Sequence, residues 1–179
     1  AKGDPVIVAH AGDTLSPSLM SGFDNGAHII ALTNLIGPGI FVPGNHEFDF
    51  GKQVFLQRMS EAKFPLFAAN LRGPGGEQLA GFADRTILTF GDVRIGLTGA
   101  TYDDTPRVSR SEDLRFAPTL DTLKAQAAEL RRQPPLRKRI LAALPGHDQC
   151  TAEQQGIDDM RHDAGQTRPQ QRRSAQHPP

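Results

Sequence analysis

Gly44-Asn45-His46-Glu47-Phe48-Asp49-Phe50-Gly51 follows the apolar run Ile40-Phe41-Val42-Pro43 and leads into a helix-like pattern. Asn45, His46, Glu47 and Asp49 are crowded into five positions at the expected carboxyl end of a strand. A segment that only had to turn the chain would need one or two small or polar residues there. This one reads as a site, and its neighbours are read from it.

Upstream, Pro5-Val6-Ile7-Val8-Ala9 is a β-branched apolar run that predicts a strand buried on both faces and ending at His10-Ala11-Gly12-Asp13. Asp13 is therefore expected just past a strand end, as the first motif is. Between the two, Ser16-Pro17-Ser18 has the form of a helix start, with Ser as cap and Pro at the first helical position. Asp24-Asn25 then precedes a helix in which Ile29, Leu32 and Ile36 share one apolar face until Gly37 stops it. Downstream, Val54, Phe55, Met59 and Ala62 keep helical spacing, and Pro65-Leu66-Phe67-Ala68-Ala69-Asn70-Leu71 returns as a third strand. Strand, helix, strand, helix, strand is the order of a parallel sheet with covering helices.

Arg72-Gly73-Pro74-Gly75-Gly76 is a loop by its Gly and Pro content. Residues 86–90 and 93–97 flank Gly91-Asp92 and predict a hairpin, so the sheet is expected to be mixed. Leu123, Ala127 and Leu130 place an apolar stripe on a last helix over residues 120–132. A further strand should follow, yet the chain continues with Gln133-Pro134-Pro135, Arg137-Lys138-Arg139 and one brief apolar run at 140–144. All ten Phe, the single Tyr and every Val lie at or before Phe116, so the core must come from the first three-quarters. The domain is accordingly assigned to residues 1–133. Residues 134–179, rich in Gln, Arg, Asp and Pro, are read as a tail, disordered or foreign to the domain, a shifted reading frame being one origin of such a change.

Length and charge narrow the function. A chain of 179 residues can bury one real core. Lys+Arg and Asp+Glu are 20 each, so no global field recruits nucleic acid or a membrane surface, and neither is expected as a partner. No apolar run approaches membrane-spanning length. The single cysteine, Cys150, excludes an intrachain disulfide and a Cys-rich zinc site. The chain opens at Ala1 and enters an apolar strand within a few residues, so it is read as a fragment or a processed product.

In open α/β sheets ligands bind outside the carboxyl ends of strands, so Asp13 and the Asn45-His46-Glu47-Asp49 group can face one crevice. A carboxylate can bridge two divalent ions, and the amide oxygen of Asn45 can fill a coordination position without adding negative charge. A mixed oxygen and nitrogen site of this kind suits Mn, Zn, Fe or Co. Asp49 lies three residues after His46, close enough to orient the ring and favour imidazolium. A histidine so held can donate to an oxygen that gains charge in a transition state. His10 and His28 are read as structural or surface histidines.

Gly12-Asp13, followed after a helical crossover by the Gly44–Gly51 octapeptide, resembles the calcineurin-like metallophosphoesterases, specifically the 5'-nucleotidase and UDP-sugar hydrolase branch. Phe67-Ala68-Ala69-Asn70-Leu71 and Ile95-Gly96-Leu97-Thr98-Gly99 are similar to that branch's following strands. The resemblance spans about residues 3 to 133. It implies an α/β fold of partial metallophosphoesterase type, a sheet sandwich with a mixed sheet and covering helices. It also implies hydrolysis of phosphate esters of nucleotides at two divalent metal ions, with Asp13 bridging them, Asn45 binding one, and His46 with Asp49 forming a dyad beside the phosphoryl group. Glu47 would be structural or a neighbour of the ligands. Further ligands belong to an earlier Asp-x-His motif and to later histidine loops, of which Gly146-His147-Asp148-Gln149 has the form of the last. By the same analogy the protein is periplasmic or secreted. A chain carrying half a ligand shell also admits a non-catalytic remnant or binding module that retains the fold, and a thiosulfohydrolase-like relative is a third reading.

Overall fold

In the computed structural model, residues 5–133 and 140–143 are described. Nine short strands and five helices follow one another among them. Strand β1 (Ala9–His10) pairs in parallel with β2 (Ile40–Phe41), β2 with β3 (Leu66–Phe67), and β3 with β5 (Phe82–Ala83), giving a four-stranded parallel sheet. Helices α1 (Ser21–Asp24) and α2 (Ala27–Ile36) cross from β1 to β2, and α3 (Lys52–Ser60) crosses from β2 to β3. Each crossover carries the chain back to the end of the sheet at which the previous strand began, because the strands are parallel. The loops after β1 and β2 therefore leave the sheet side by side.

The second sheet is mixed. Strands β6 (Arg85–Phe90) and β7 (Val93–Gly99) form the expected hairpin, with Phe90 opposite Val93 and Gly91 at φ +61 between them. Helix α5 (Thr119–Arg132) buries Leu123, Ala127 and Leu130, the stripe expected of it. Strand β9 (Ile140–Ala143) then runs parallel to β7, so the strand that a β–α–β unit requires is present beyond residue 133. The remaining residues of the expected tail, His147 among them, lie outside the described residues. A small antiparallel pair, β4 (Leu71–Arg72) with β8 (Arg115–Phe116), completes the sheets, and the one-turn helix α4 (Thr105–Val108) precedes β8.

Four expectations are corrected. Ser16-Pro17-Ser18 starts no helix, since α1 begins only at Ser21. Val6 and Val8 are 80% and 46% exposed, and pairing begins only at Ala9, so the first run is not a strand buried on both faces. Residues 65–71 do not form one strand, because the chain turns at Ala69-Asn70 and moves from the parallel sheet to the small pair. Asn70 is buried at that corner, where its amide accepts from Thr101 N and donates to the carbonyls of Thr101 and Ala117. Helix α2 buries Ile30 and Thr33 rather than the face of Leu32 and Ile36, which are 55% and 66% exposed.

Between α2, α3 and the parallel sheet lies a core containing Leu15, Ile30, Phe41, Phe48 and Phe55. Phe48 and Phe55 are completely buried with ring centroids 4.2 Å apart. Burial of each such ring contributes about 2–3 kcal/mol. Phe48 belongs to the octapeptide, so the motif is anchored by its own apolar residue. No helix among the described residues is long and apolar enough to cross a membrane.

Candidate active site

The loop after β1 turns through Gly12 (φ +76) and Asp13 (φ +55), two consecutive left-handed residues. Asp and Gly tolerate that region better than most residues. The loop after β2 comes so close that a Cβ on Gly44 would lie 2.1 Å from Asp13 Oδ1 and one on Gly12 would lie 2.1 Å from Gly44 N. Only the absence of side chains at both positions permits the approach. Asp13 Oδ1 accepts the backbone N–H of His46 at 3.2 Å, which ties the Asp13 carboxylate to the start of the 3-10 turn His46–Phe48.

Glu47 holds the two loops together from below. Its carboxylate is completely buried and accepts four backbone N–H groups: Thr14 at 2.6 Å and Leu15 at 3.2 Å on Oε1, Asp13 at 2.8 Å and Gly44 at 2.6 Å on Oε2. Burial pushes its pKa above the ordinary value, and the four donors oppose that shift. His10 adds a second support, since its Nδ1 accepts Gly12 N at 3.1 Å while its ring stacks on Phe41. Burial lowers the His10 pKa, in keeping with the neutral ring that such an accepting nitrogen requires. Asp24 and His28 pair with one another near the start of α2.

Asn45 and His46 lie on the other side of the turn. Asn45 is 3% exposed, and its Oδ1 has no hydrogen-bond partner. A buried acceptor without a donor costs stability unless something else supplies positive charge. His46 Nδ1 lies 2.7 Å from Asp49 Oδ2, with both side chains partly exposed. The hydrogen bond from the ring to Asp49 raises the His46 pKa above 6.5, and the charges of Asp49, Asp13 and Glu47 add to it, against a smaller effect of burial. Burial pushes the Asp49 carboxyl up, yet hydrogen bonds from Ser109, His46 and Ser16 outweigh it and hold the group below its ordinary value. Each member of the pair thus favours the charged form of the other.

Asp13, Asn45, His46 and Asp49 therefore converge at the adjacent ends of β1 and β2. Among the described residues no group of three or more His, Cys, Asp or Glu could hold a metal ion by itself. The orphaned Asn45 oxygen and the Asp13 carboxylate are nevertheless hard oxygen donors of the kind a divalent metal takes. Ser109, whose hydroxyl donates to Asp49 Oδ1 at 2.5 Å, carries no signal in the sequence, because 60 residues separate it from its partner.

A parallel sheet whose first two crossover loops pin a Gly-Asp turn against a Gly-Asn-His-Glu turn is the arrangement expected of the calcineurin-like metallophosphoesterases. No family model matches the chain. It is 30% identical over 151 residues to Protein UshA of Escherichia coli, covering 82% of this chain and 27% of that protein. It is 29% identical over 131 residues to human 5'-nucleotidase, covering 70% of this chain and 23% of the relative. Among solved structures, Haemophilus influenzae NAD nucleotidase (NadN) shares the fold with a TM-score of 0.73 at 24% identity, over 82% of this chain and 29% of that one. The chain belongs to the 5'-nucleotidase branch of the calcineurin-like metallophosphoesterases, and it spans about a quarter of the length of the curated relatives it matches.

Proposed function

We propose that the chain carries part of the catalytic domain of a metal-dependent phosphoric ester hydrolase of 5'-nucleotidase type, with a nucleotide phosphate monoester as substrate. The observation that carries this reading is the His46–Asp49 pair, 2.7 Å apart, in the same turn as the unpartnered Asn45 oxygen. Asp13 and Asn45 are the residues of this chain that would hold the metal. When bound, divalent metals supply Lewis-acid activation of water and neutralise phosphoryl oxygens.

The protein's own groups have separate tasks. Asp49 accepts from Nδ1 of His46, which makes Nε2 the ring atom to turn toward substrate. An imidazolium there donates a hydrogen bond to a phosphoryl or leaving-group oxygen as negative charge develops on it. Glu47 touches only backbone N–H groups in the described contacts and serves to hold Asp13 at its place. By analogy with the family, the proposed location is the periplasm or the secreted fraction.

The test is hydrolysis of a chromogenic phosphate ester by the purified chain with added manganese. Activity that needs the metal and falls about a hundredfold or more in His46→Ala supports the reading. A rate unchanged by His46→Ala and by a chelator would mean a fold retained without the chemistry.

A further inference from the structure

We propose that Ser109 is a positioning residue for the His46–Asp49 dyad, extending it to a chain of three side chains contributed by two distant segments. The role in hydrolysis rests on the function proposed above, whereas the positioning of the ring does not.

Asp49 has three side-chain partners, His46, Ser109 and Ser16, and the contacts of the first two fall on different carboxylate oxygens. Oδ2 meets His46 Nδ1 at 2.7 Å, and Oδ1 accepts the Ser109 hydroxyl at 2.5 Å. A carboxylate held at one oxygen only can rotate about χ2, whose energy profile is broad. With both oxygens engaged the carboxylate plane is fixed, and so is the plane of the imidazole bonded to it. Second partners of this kind orient a histidine and its tautomer in other enzymes.

The segment that brings Ser109 to the site is itself fastened to the motif. Ser109 ends α4 in an extended conformation, φ −146 and ψ −179, and its backbone N–H bonds to Thr105 O at 2.9 Å. Three residues later Glu112, at φ +54, accepts the N–H of Lys52 at 3.2 Å, in the first turn of α3. Asp113 next to it pairs with Lys52 Nζ at 2.5 Å. Residues 109–113 thus clasp the stretch from Asp49 to Lys52 at three points, of which one is the dyad itself. A left-handed Glu is costly and persists only where its surroundings hold it. That the clasp is kept at this cost argues that Ser109 is delivered rather than merely near.

The experiment compares the full chain with Ser109→Ala and Ser109→Thr by proton NMR and by hydrolysis with manganese. Threonine keeps the hydroxyl and accepts the extended backbone, so it should behave as the natural residue. The low-field resonance of the His46 Nδ1 proton, assigned by its loss in Asp49→Asn, should be present in the natural chain and in Ser109→Thr. It should be broadened beyond detection by exchange in Ser109→Ala. Where the chain hydrolyses esters, Ser109→Ala should lose roughly ten- to a hundredfold in kcat with KM unchanged, and Ser109→Thr should restore it. A Ser109→Ala protein with the resonance as sharp as in the natural chain overturns the inference, even if His46→Ala abolishes hydrolysis. Loss of the resonance in a chain that hydrolyses nothing would uphold the positioning role while removing the proposed function.

Discussion

Glu47 and His46 are adjacent in sequence, and the turn sends them to opposite environments. Glu47 is completely buried with four backbone donors, while His46 is partly exposed with one carboxylate partner in the described contacts. The difference shows how a motif with four polar residues in five positions can be stable. One charge is spent inward, where it fastens the Asp13 loop to the Gly44 loop. His46 and Asp49 are left partly exposed, and the buried Asn45 keeps an unpartnered oxygen. Each side can be broken separately, and the expected effects rank as follows.

The largest effect on the fold is expected at the buried side. Glu47→Gln presents an amide NH2 to backbone donors that need an acceptor, and should cost about 3 kcal/mol. The urea unfolding midpoint reads it, and an unchanged midpoint would show that the clamp does not hold the loops. Gly44→Ala is next, because the new Cβ would lie 2.1 Å from Asp13 Oδ1. It should cost about 2 kcal/mol and weaken manganese binding by displacing the Asp13 carboxylate, which calorimetric titration with the metal measures.

The outward side should show itself in pH dependence more than in stability. His46 titrates above 6.5 in the folded chain, so its contribution is complete below that pH and is lost as pH rises through the raised value. Asp49 is held below its ordinary 3.8, so its contribution is present above that pH and is lost as pH falls through the lowered value. Both groups are partly exposed, and the pair is worth no more than about 1 kcal/mol between those limits. Hydrolysis should therefore fall on the alkaline side as the imidazolium loses its proton. Asp49→Asn should move that limb to lower pH, and a limb that stays in place would mean that His46 does not act as the proton donor.

The smallest effect is expected on the outer face of α2. Leu35 is 84% exposed, and Leu35→Ala should change stability by under about 0.5 kcal/mol in thermal unfolding.

That helix also shows where sequence reasoning stops. Ile29, Ile30, Leu32, Leu35 and Ile36 leave almost no polar side on α2, so periodicity alone could not tell which face is buried. The answer came from tertiary packing, which buries Ile30 and Thr33. The hairpin at Gly91 and the α5 stripe were legible because each has one clear period and one clear stop. Within the site, the spacing of His46 and Asp49 made their pairing readable, since residues three apart meet in a helical turn. The approach of Asp13 to the second motif followed from the two strand ends. Ser109 was not legible, for its partner is reached only through α4 and the 109–113 clasp. Nor was β9, because four short apolar residues after a basic run resemble an interruption in a polar tail.

The division of labour within the turn is tested most directly by one paired measurement, urea unfolding and manganese-dependent ester hydrolysis on His46→Ala and Glu47→Gln side by side. His46→Ala should unfold within about 1 kcal/mol of the natural chain while losing a hundredfold or more in kcat, and Glu47→Gln should lose stability first. A His46→Ala protein that hydrolyses at the natural rate, or that is destabilised as much as Glu47→Gln, would contradict the account.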